Sequence, residues 1–328
     1  MEKNRVRIGI LGAAAIAPLC VIDPAAVLGH KVVAVAARDS AKAQAFAETY
    51  GVTTVLATYD DVIDDPNVDL VYNPLPNSAH AEWNIKALNA GKHVLAEKPF
   101  SSNVAEAQAV IEAARNSKGV LIEAYHYFHH PVMQRTLSLL NEGRIGEILH
   151  VEVHMVSVPP ADGDLRWSAD LAGGALMDMG CYGIHMMQRL NSLCGGAPVP
   201  EAASLTMDPR GVDAASTAVL RYPNGATASV WSEFRGHRDV LQFTIYGSSG
   251  RLIAPNFVLP HDDDRLILET AGGTWTERLG TRTSYTYQLE TLISHIDDGA
   301  DFPLTLDDTM ATMEVVDWIL ANGTRHPA

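Results

Sequence analysis

Short apolar runs alternate with stretches of helical length over the first 125 residues of the chain. The apolar runs predict buried strands at 6–11, 31–37, 69–72, 93–96 and 120–124. One intervening helix has Ser40 as its predicted N-cap and ends at Gly51, and another covers 104–116. Strands that alternate with helices at this spacing indicate βαβ units, so the sequence predicts a parallel sheet here.

The pattern changes after Tyr125. The sequence predicts helices over 132–141 and from Gly173-Gly174 to about residue 190, with a half-buried strand at 148–158 between them. From Ala214 onward short strands dominate, and Pro223-Asn224-Gly225 indicates a hairpin between two of them. These strands predict a large, mostly antiparallel sheet, and helices near 285–297 and 306–321 end the chain.

The change of pattern predicts two domains, 1–124 and 125–328. Helices are expected to cover only one face of the second domain's sheet. The other face then needs a cover, and we expect a partner subunit to supply it.

Composition and charge exclude several classes of partner. The formal net charge is −15 at pH 7, and such a surface repels phosphate backbones and anionic lipids, so we expect neither a nucleic-acid partner nor a membrane role. No apolar run approaches the length of a membrane span. Residues 1–5 lack the build of a signal peptide, and the three cysteines form no disulfide framework. We therefore expect a cytoplasmic protein.

The turn after the first strand resembles a phosphate-binding turn. Gly12-Ala13-Ala14-Ala15-Ile16-Ala17 occupies the place of the G-x-G-x-x-G/A fingerprint of dinucleotide-binding domains. Gly12 fits the tight turn, Ala17 allows the helix to pack on the strand, and Ala14 replaces the glycine that admits the pyrophosphate. The alternative interpretation is a compact strand-to-helix turn with no ligand.

The end of the second strand bears on the choice of cofactor. An NAD site usually places Asp or Glu there to hold the ribose 2′-hydroxyl. This chain has Arg38 followed by Asp39, and Lys42 lies one helical turn further on. A guanidinium suits a 2′-phosphate, so the sequence favours NADP, with NAD as the alternative. Asp39 either caps the next helix or takes the ribose.

Glu97-Lys98-Pro99 follows a strand directly, at the sheet edge where cofactors and substrates bind in open α/β folds. Lys98 is a candidate for accepting the substrate's hydroxyl proton, because burial and a neighbouring cation lower a lysine's pKa. It is equally a candidate for staying charged and polarising the substrate oxygen. The alternative is a surface lysine in a proline turn. The Lys98–Pro99 bond is a candidate cis peptide. The loop Asn73-Pro74-Leu75-Pro76-Asn77 ends another strand, where backbone contacts to a cofactor are expected.

A second candidate site lies on the helix after Gly173-Gly174. Asp178, Tyr182 and His185 are spaced at i, i+4 and i+7, so the sequence predicts that they share one face. A carboxylate, a phenol and an imidazole on an otherwise apolar helix need polar partners when buried. The alternative is that Tyr182 and His185 are core residues with satisfied hydrogen bonds.

Other polar residues carry weaker signals. Arg166-Trp167, in a loop rich in Gly and Asp, is expected either to line a sugar site or to pack the loop. The histidines His126, His129 and His130 lack the spacing of a zinc site, so we expect no metal.

Four motifs together resemble the family named for glucose–fructose oxidoreductase, inositol dehydrogenase and the rhizopine-catabolism protein (Gfo/Idh/MocA). The motifs are Ile8-Gly9-Ile10-Leu11-Gly12, Asn73-Pro74-Leu75-Pro76-Asn77-Ser78-x-His80, Ala90-Gly91-Lys92-His93-Val94-Leu95-x-Glu97-Lys98-Pro99 and Gly174-Ala175-Leu176-x-Asp178-x-Gly180. The resemblance covers essentially the whole chain. It implies an α/β protein with an N-terminal Rossmann domain, a doubly wound parallel sheet, and a C-terminal α/β domain with a large, mostly antiparallel, open-faced sheet. It also implies a homodimer or homotetramer built through that sheet.

The resemblance also implies a reaction, the NAD(P)-dependent oxidation of a carbinol carbon in an aldose, polyol or vicinal diol. Lys98 matches the family's catalytic lysine. Tyr182 stands where many members have histidine, as in the branch with dihydrodiol dehydrogenases, NADP-linked xylose dehydrogenases and glucose–fructose oxidoreductase. Ala14 and Ala15 depart from the family pattern. Ala15 replaces an arginine that close relatives often place beside the cofactor phosphates, which is expected to loosen cofactor binding.

These observations assign a role to each candidate residue. We predict catalytic roles for Lys98, Tyr182 and Asp178, and substrate binding by Arg166, Trp167, Asp178 and His185. We predict cofactor binding by Gly12, Ala14, Ala15, Ile16, Arg38, Lys42, Pro74, Leu75, Asn77, His80, Glu97 and Lys98. The alternative function is a non-enzymatic, NAD(P)-sensing regulatory protein on the same fold.

Overall fold

The computed structural model describes residues 5–328. Residues 1–4, which carry part of the argument against a signal peptide, lie outside the described residues. The chain divides into two compact units, one ending at Tyr125 but including Tyr285–Leu306, the other formed by His126–Ser284 and Asp307–Ala328. The predicted division into 1–124 and 125–328 differs from this one mainly in Tyr285–Leu306, which belongs with the first unit.

The first unit is built on a parallel sheet of six strands in the order β3-β2-β1-β4-β5-β6. This is the strand order of a Rossmann fold, as predicted. Its elements are β1 (Arg7–Leu11), α1 (Asp23–Leu28), β2 (Lys31–Ala36), α2 (Ser40–Tyr50), β3 (Thr54–Val55), α3 (Tyr59–Asp64), β4 (Leu70–Asn73), α4 (Asn77–Asn89), β5 (His93–Ala96), α5 (Val104–Asn116) and β6 (Leu121–Glu123).

Local sequence explains where these elements begin and end. The central strands β1, β4 and β5 are almost wholly buried, which matches their continuous apolar runs. Asp39, not the predicted Ser40, caps α2, since its Oδ1 accepts hydrogen bonds from the backbone N–H groups of Ala41 and Lys42 at 3.0 and 3.1 Å. Gly51 ends that helix in the left-handed conformation, as predicted.

The second unit holds a sheet of nine strands in the order β14-β13-β12-β11-β7-β10-β9-β8-β15. Neighbouring strands are antiparallel except β7 with β10 and β8 with β15, which confirms the predicted mostly antiparallel sheet. The remaining elements are α6 (Pro131–Asn141), β7 (Ile148–Val156), α7 (Cys181–Gln188), β8 (Val199–Met207), β9 (Asp213–Arg221), β10 (Thr227–Glu233), β11 (Val240–Gly247), β12 (Gly250–Ala254), β13 (Arg265–Thr270), β14 (Gly273–Arg278), α8 (Ser284–Asp298), α9 (Leu306–Asn322) and β15 (Thr324–Pro327). Of these, α8 belongs to the first unit from Tyr285 onward.

One face of this sheet lies against α7. Gly183 allows the close approach, because a Cβ added there would lie 2.7 Å from Val230 Cγ2 and 3.2 Å from Val153 Cγ1. The opposite face presents polar and aromatic side chains, with Trp231 beside His154 at a ring separation of 5.6 Å. Among residues 5–328, no helix has the length and apolar character that crossing a membrane requires.

Candidate active site

The turn after β1 has the backbone of a phosphate-binding turn. Gly12 has a φ of 99°, a left-handed conformation that favours glycine, and its N–H donates to the Ala36 carbonyl at 2.7 Å. A Cβ at Gly12 would lie 3.2 Å from Leu75 Cδ2, so the turn approaches the loop after β4 closely. Of the residues that follow, Ala14 is partly exposed, and Ala15 and Ile16 are exposed. The backbone of this turn is therefore open to a ligand.

The end of β2 carries two exposed cations. Asp39 is engaged as the cap of α2, so its carboxylate already accepts two backbone hydrogen bonds. Arg38 and Lys42 are exposed, and neither forms an ion pair with any residue from Arg5 to the C-terminus. Of the two alternatives for Asp39, the structure shows the capping one. The basic side chains are thus the ones left to meet a charged ligand.

Buried amides join the loops after β4 and β5. The Asn73 side chain donates to Asn84 Oδ1 at 2.8 Å, and Asn84 donates to the Phe100 carbonyl at 3.3 Å. The two ring nitrogens of buried His80 lie 2.6 Å from the carbonyl oxygens of Pro99 and Leu75. His80 therefore bridges the Asn-Pro-Leu-Pro-Asn loop and the Glu-Lys-Pro turn, which makes it a positioning residue for both. Pro74, Leu75 and Asn77 are partly exposed in that loop.

Glu97 stands between a buried phenol and the candidate catalytic lysine. Tyr72 Oη donates to Glu97 Oε1 at 2.8 Å, and the Lys98 backbone N–H donates to Glu97 Oε2 at 3.3 Å. Burial raises the pKa of Glu97, against the opposing effect of Lys98, and burial also raises the pKa of the nearby Cys20 thiol. Lys98 is partly exposed, and the Lys98–Pro99 peptide bond is cis, as expected.

In the second unit, the chain enters the candidate catalytic helix through two glycines. The helix begins with a π-helical turn, Leu176–Gly180, that continues into α7. A Cβ at Gly174 would lie 2.2 Å from Asp213 Oδ1, and Asp213 Oδ2 accepts the Leu176 N–H at 2.8 Å. Burial raises the pKa of Asp213 to about 6. A buried carboxyl therefore holds the start of the helix that carries Asp178 and Tyr182.

The structure brings two of the predicted substrate residues together. Arg166 Nε donates to Asp178 Oδ2 at 2.8 Å, and the same guanidinium reaches Asp164 at 3.2 Å. Asp178 raises the pKa of Arg166. Trp167, in contrast, is buried, donates its indole N–H to the Pro160 carbonyl at 3.1 Å and lies under the Arg210 guanidinium. These contacts favour loop packing for Trp167, and its role in substrate binding stays a prediction.

Tyr182 and His185 each have a hydrogen-bond partner from the segment that follows β6. Tyr182 Oη lies 3.1 Å from His126 Nε2, and the Tyr127 hydroxyl lies 2.7 Å from His185 Nδ1. His185 is wholly buried, and burial lowers its pKa well below the usual range. This environment is that of a neutral core histidine, so substrate binding by His185 also stays a prediction.

Sequence reasoning missed the partners of Tyr182. His126 Nδ1 lies 2.8 Å from Ser284 Oγ, and Ser284 Oγ lies 3.4 Å from His261 Nδ1. The sequence signals His126 only by its place two residues beyond a predicted strand, in a histidine-rich segment that we considered as a metal site. His129 and His130 serve elsewhere: burial lowers the pKa of His129 to about 3, and His130 caps α6. Within the described residues no three His, Cys, Asp or Glu side chains form a group that could hold a metal ion.

Two family models match the chain. The first, described as an oxidoreductase family with an NAD-binding Rossmann fold, matches residues 6–125, and the second, described as the GFO/IDH/MocA C-terminal domain, matches residues 133–253. The matches follow the division of the chain between a parallel and a mostly antiparallel sheet.

Several characterised proteins are similar to this chain over much of its length. D-xylose 1-dehydrogenase (NADP(+)) 2 of Haloferax volcanii is 33% identical over 316 residues, which cover 95% of either chain. A dTDP-3,4-didehydro-2,6-dideoxy-alpha-D-glucose 3-reductase of Saccharopolyspora spinosa is 35% identical over 79% of this chain and 77% of its own. The crystal structure of a 3-ketoreductase from Actinomadura kijaniata in complex with NADP and TDP-benzene has a TM-score of 0.91 at 28% identity, and the match covers 99% of this chain and 100% of that one.

Proposed function

The chain belongs to the GFO/IDH/MocA oxidoreductase family, and on that premise we propose that it is an NADP-dependent dehydrogenase of sugars or diols. It transfers a hydride between the nicotinamide and a carbinol or carbonyl carbon of an aldose, polyol or vicinal diol. The observation that carries this proposal is the pairing of Tyr182 Oη with His126 Nε2 at 3.1 Å. A buried phenol with a titratable partner is suited to exchange a proton with a substrate oxygen.

The first unit supplies a set of groups that fits a dinucleotide. The backbone of the turn at Gly12 would face the pyrophosphate, because the positive φ of this glycine opens the turn to a ligand. Arg38, assisted by Lys42, would hold the 2′-phosphate, since Asp39 is engaged as a helix cap. Ala14, Ala15 and Ile16 complete the turn. When bound, the nicotinamide supplies the hydride acceptor or donor.

Tyr182 is the proposed acid or base, and Lys98 assists it. During oxidation the phenolic oxygen takes the carbinol proton, and during reduction it returns a proton to the carbonyl oxygen. By its match to the family's catalytic lysine, Lys98 would stabilise the charge that develops on the substrate oxygen. Asp178 would bind a substrate hydroxyl, with Arg166 holding its carboxylate at 2.8 Å.

Relatives support the cofactor and the substrate class. The xylose dehydrogenase from Haloferax volcanii is named for NADP(+). A trans-1,2-dihydrobenzene-1,2-diol dehydrogenase of Xenopus tropicalis is 30% identical over 69% of this chain and 68% of its own. Xylose and a dihydrodiol share adjacent hydroxyl groups on a small carbon frame, so the proposal extends to aldoses, polyols and vicinal diols rather than to one compound.

We also propose that the protein assembles as a homodimer or homotetramer through the nine-stranded sheet and acts in the cytoplasm. The face of β7 and β10 turned away from α7 exposes Trp231 among polar side chains, which suits a partially polar interface. The three cysteines are free and buried, which suits a reducing compartment.

The test is a panel of aldoses, polyols and diols with NADP and NAD, followed at the absorbance of the reduced cofactor. We expect turnover with NADP, and we expect Tyr182→Phe to reduce kcat by roughly 10²-fold or more while the affinity for NADP barely changes. Lys98→Ala should also reduce kcat. If the two residues serve one step, the double variant should lose much less than the product of the single losses.

Two results would count against the proposal. Cofactor binding without turnover on any member of the panel would favour the nucleotide-sensing alternative. Turnover that is unchanged in the Tyr182→Phe variant would remove the phenol from the reaction, whatever the substrate.

A further inference from the structure

Four polar side chains of the second unit form a continuous chain that starts at Tyr182. Tyr182 Oη lies 3.1 Å from His126 Nε2, His126 Nδ1 lies 2.8 Å from Ser284 Oγ, and Ser284 Oγ lies 3.4 Å from His261 Nδ1. Each inner member uses two different contacts, one toward each neighbour. The last contact is the longest, which makes it the weakest link of the chain.

Exposure to solvent rises only at the far end of this chain. Tyr182 is 6% exposed, His126 is 2% exposed and Ser284 is fully buried. His261, by contrast, is partly exposed, and its neighbour Asp262 is exposed. Bulk water therefore has little direct access to the phenol, whereas it reaches the far end of the chain. A proton taken up by Tyr182 during turnover has to leave by a route of this kind before the phenol can act again.

We propose that His126, Ser284 and His261 relay protons between the phenol of Tyr182 and solvent. The inference rests on the proposed function, because it needs Tyr182 to be the acid or base. It adds three residues that act through Tyr182 without touching substrate. They are positioning and relay residues for the reaction, and no motif in the sequence marks them.

The number of protons on each relay group is the same before and after the transfer. In the oxidation direction the substrate loses a hydride to the nicotinamide and an O–H proton to the Tyr182 oxygen. The phenol proton passes to His126 Nε2, the Nδ1 proton of His126 passes to Ser284 Oγ, and the Ser284 hydroxyl proton passes to His261 Nδ1. His261 then releases its Nε2 proton to water. Each relay group gains one proton and loses one, and the reduction direction reverses the sequence.

Neighbouring groups suit a relay that ends in a histidine. Burial lowers the pKa of His261, and Asp262 opposes that effect. His130 also faces His261, and burial lowers the pKa of His130 to about 4, so His130 is neutral near pH 7. A lowered pKa favours release of a proton from the charged ring, which suits the last step of the relay.

The kinetic test separates hydride transfer from proton release. In a stopped-flow experiment, cofactor absorbance reports the hydride, and a pH-indicator dye reports the proton, with the substrate of the panel that is turned over fastest. We expect Ser284→Ala to slow proton release by roughly tenfold relative to hydride transfer in the first turnover. His261→Gln should do the same, and added imidazole buffer should restore the rate in that variant by replacing the missing ring.

Three controls make this test specific. Ser284→Thr keeps the hydroxyl and should keep proton release close to the wild-type rate. His326→Gln removes an exposed histidine from β15 and should change nothing. Urea unfolding and NADP titration of each variant should match the wild type, which would show that slow proton release does not result from lost structure.

A second readout needs no turnover. Long-range ¹H–¹⁵N spectra of the histidine rings should show His126 with a protonated Nδ1, which donates to Ser284. Ser284→Ala should shift that ring toward the tautomer with a protonated Nε2. An unchanged His126 signal, or proton release that stays locked to hydride transfer in both Ser284→Ala and His261→Gln, would overturn the relay. If Tyr182→Phe still abolishes turnover, the proposed function survives that failure.

Discussion

Arg38 is the residue that we propose distinguishes NADP from NAD. Its guanidinium is exposed, and the neighbouring Asp39 carboxylate is occupied by two backbone N–H groups of α2. We expect Arg38→Ala to weaken NADP binding by roughly ten- to hundredfold, because it removes charge-assisted hydrogen bonds to the 2′-phosphate. Binding of NAD, which lacks that phosphate, should hardly change. Fluorescence titration with both cofactors measures the difference.

A matched control for this variant is Lys31→Ala, which removes an exposed cation from the other end of β2. The control should leave both affinities close to wild type. Equal losses of NADP and NAD affinity in Arg38→Ala would show that Arg38 supports the backbone of the site and does not bind the 2′-phosphate.

At the residue scale, sequence reasoning succeeded where the chemistry is local. Gly12 at a positive φ and Gly51 as a C-cap follow from what glycine alone adopts easily. It failed at the cap of α2, where two adjacent residues both qualify, and at the partners of Tyr182. The contact between His126 and Ser284 joins positions 158 residues apart, so only the tertiary fold determines it.

At the scale of elements, Asp213 controls how the candidate catalytic helix begins. Burial raises its pKa to about 6 in the folded protein, although it accepts the Leu176 N–H. The unfolded chain loses this proton near pH 4 and the folded one near pH 6, so stability falls as pH rises between those values and stays reduced above them. Asp213→Asn keeps an acceptor for Leu176 and should raise the free energy of unfolding at pH 7.5 by up to about 3 kcal/mol. Urea unfolding at pH 4 and 7.5 measures this.

Asp208 provides a control of opposite sign in the same unit. Arg210 holds the pKa of Asp208 at about 2 through hydrogen bonds at 2.6 and 3.0 Å. A lowered folded pKa gives stability that is present above about pH 4 and lost toward pH 2. Asp208→Asn should therefore cost about 1 kcal/mol at pH 7.5, a small value because Arg210 is exposed to solvent. If both variants shift stability in the same direction, the assignment of Asp213 is wrong.

The elements that sequence reasoning missed are those with little pattern of their own. Thr54–Val55 is too short a strand for alternation to show, and Thr324–Pro327 is an edge strand whose residues are all exposed. In Val199–Met207 only Leu205 is buried, so the alternation of apolar and polar residues that marks a strand is weak there. The helix after Gly174 was predicted as one piece, but its first turn is π-helical and accommodates Asp178. Hydrogen bonding to Asp213 and packing on the sheet fix that turn, and neither is visible in local sequence.

At the scale of the molecule, the two sheets could be predicted and the division of the chain only in part. The alternation of strands with helices and the later run of short strands are both local patterns. The first predicted the parallel sheet and the second predicted the mostly antiparallel one. The return of Tyr285–Leu306 to the first unit depends on long-range packing. The parallel pairing of β7 with β10 is another such feature, because these strands are separated by five helical segments and two further strands.

The open face of the nine-stranded sheet is the place to test assembly. Trp231 on β10 is 41% exposed, and its register partners His154 and Thr217 put it on the face away from α7. A large aromatic side chain at the centre of a sheet face is the kind of residue that dominates an interface. We expect Trp231→Glu to raise the dissociation constant of the assembly at least about tenfold, since the interface would bury an unpaired carboxylate.

Trp275 offers a control of the same residue type and similar exposure. It is 46% exposed on the edge strand β14, and its register partner is the buried Leu268, so it lies on the opposite face of the sheet. Trp275→Glu should leave the molar mass in sedimentation velocity unchanged, whereas Trp231→Glu should shift it toward the single chain. If Trp275→Glu dissociates the protein and Trp231→Glu does not, the helix-covered side of the sheet is the interface. If neither has an effect, the open face must meet solvent. The polar pairs along it, such as His154 with Glu152 at 2.9 Å, would then explain how an uncovered sheet stays soluble.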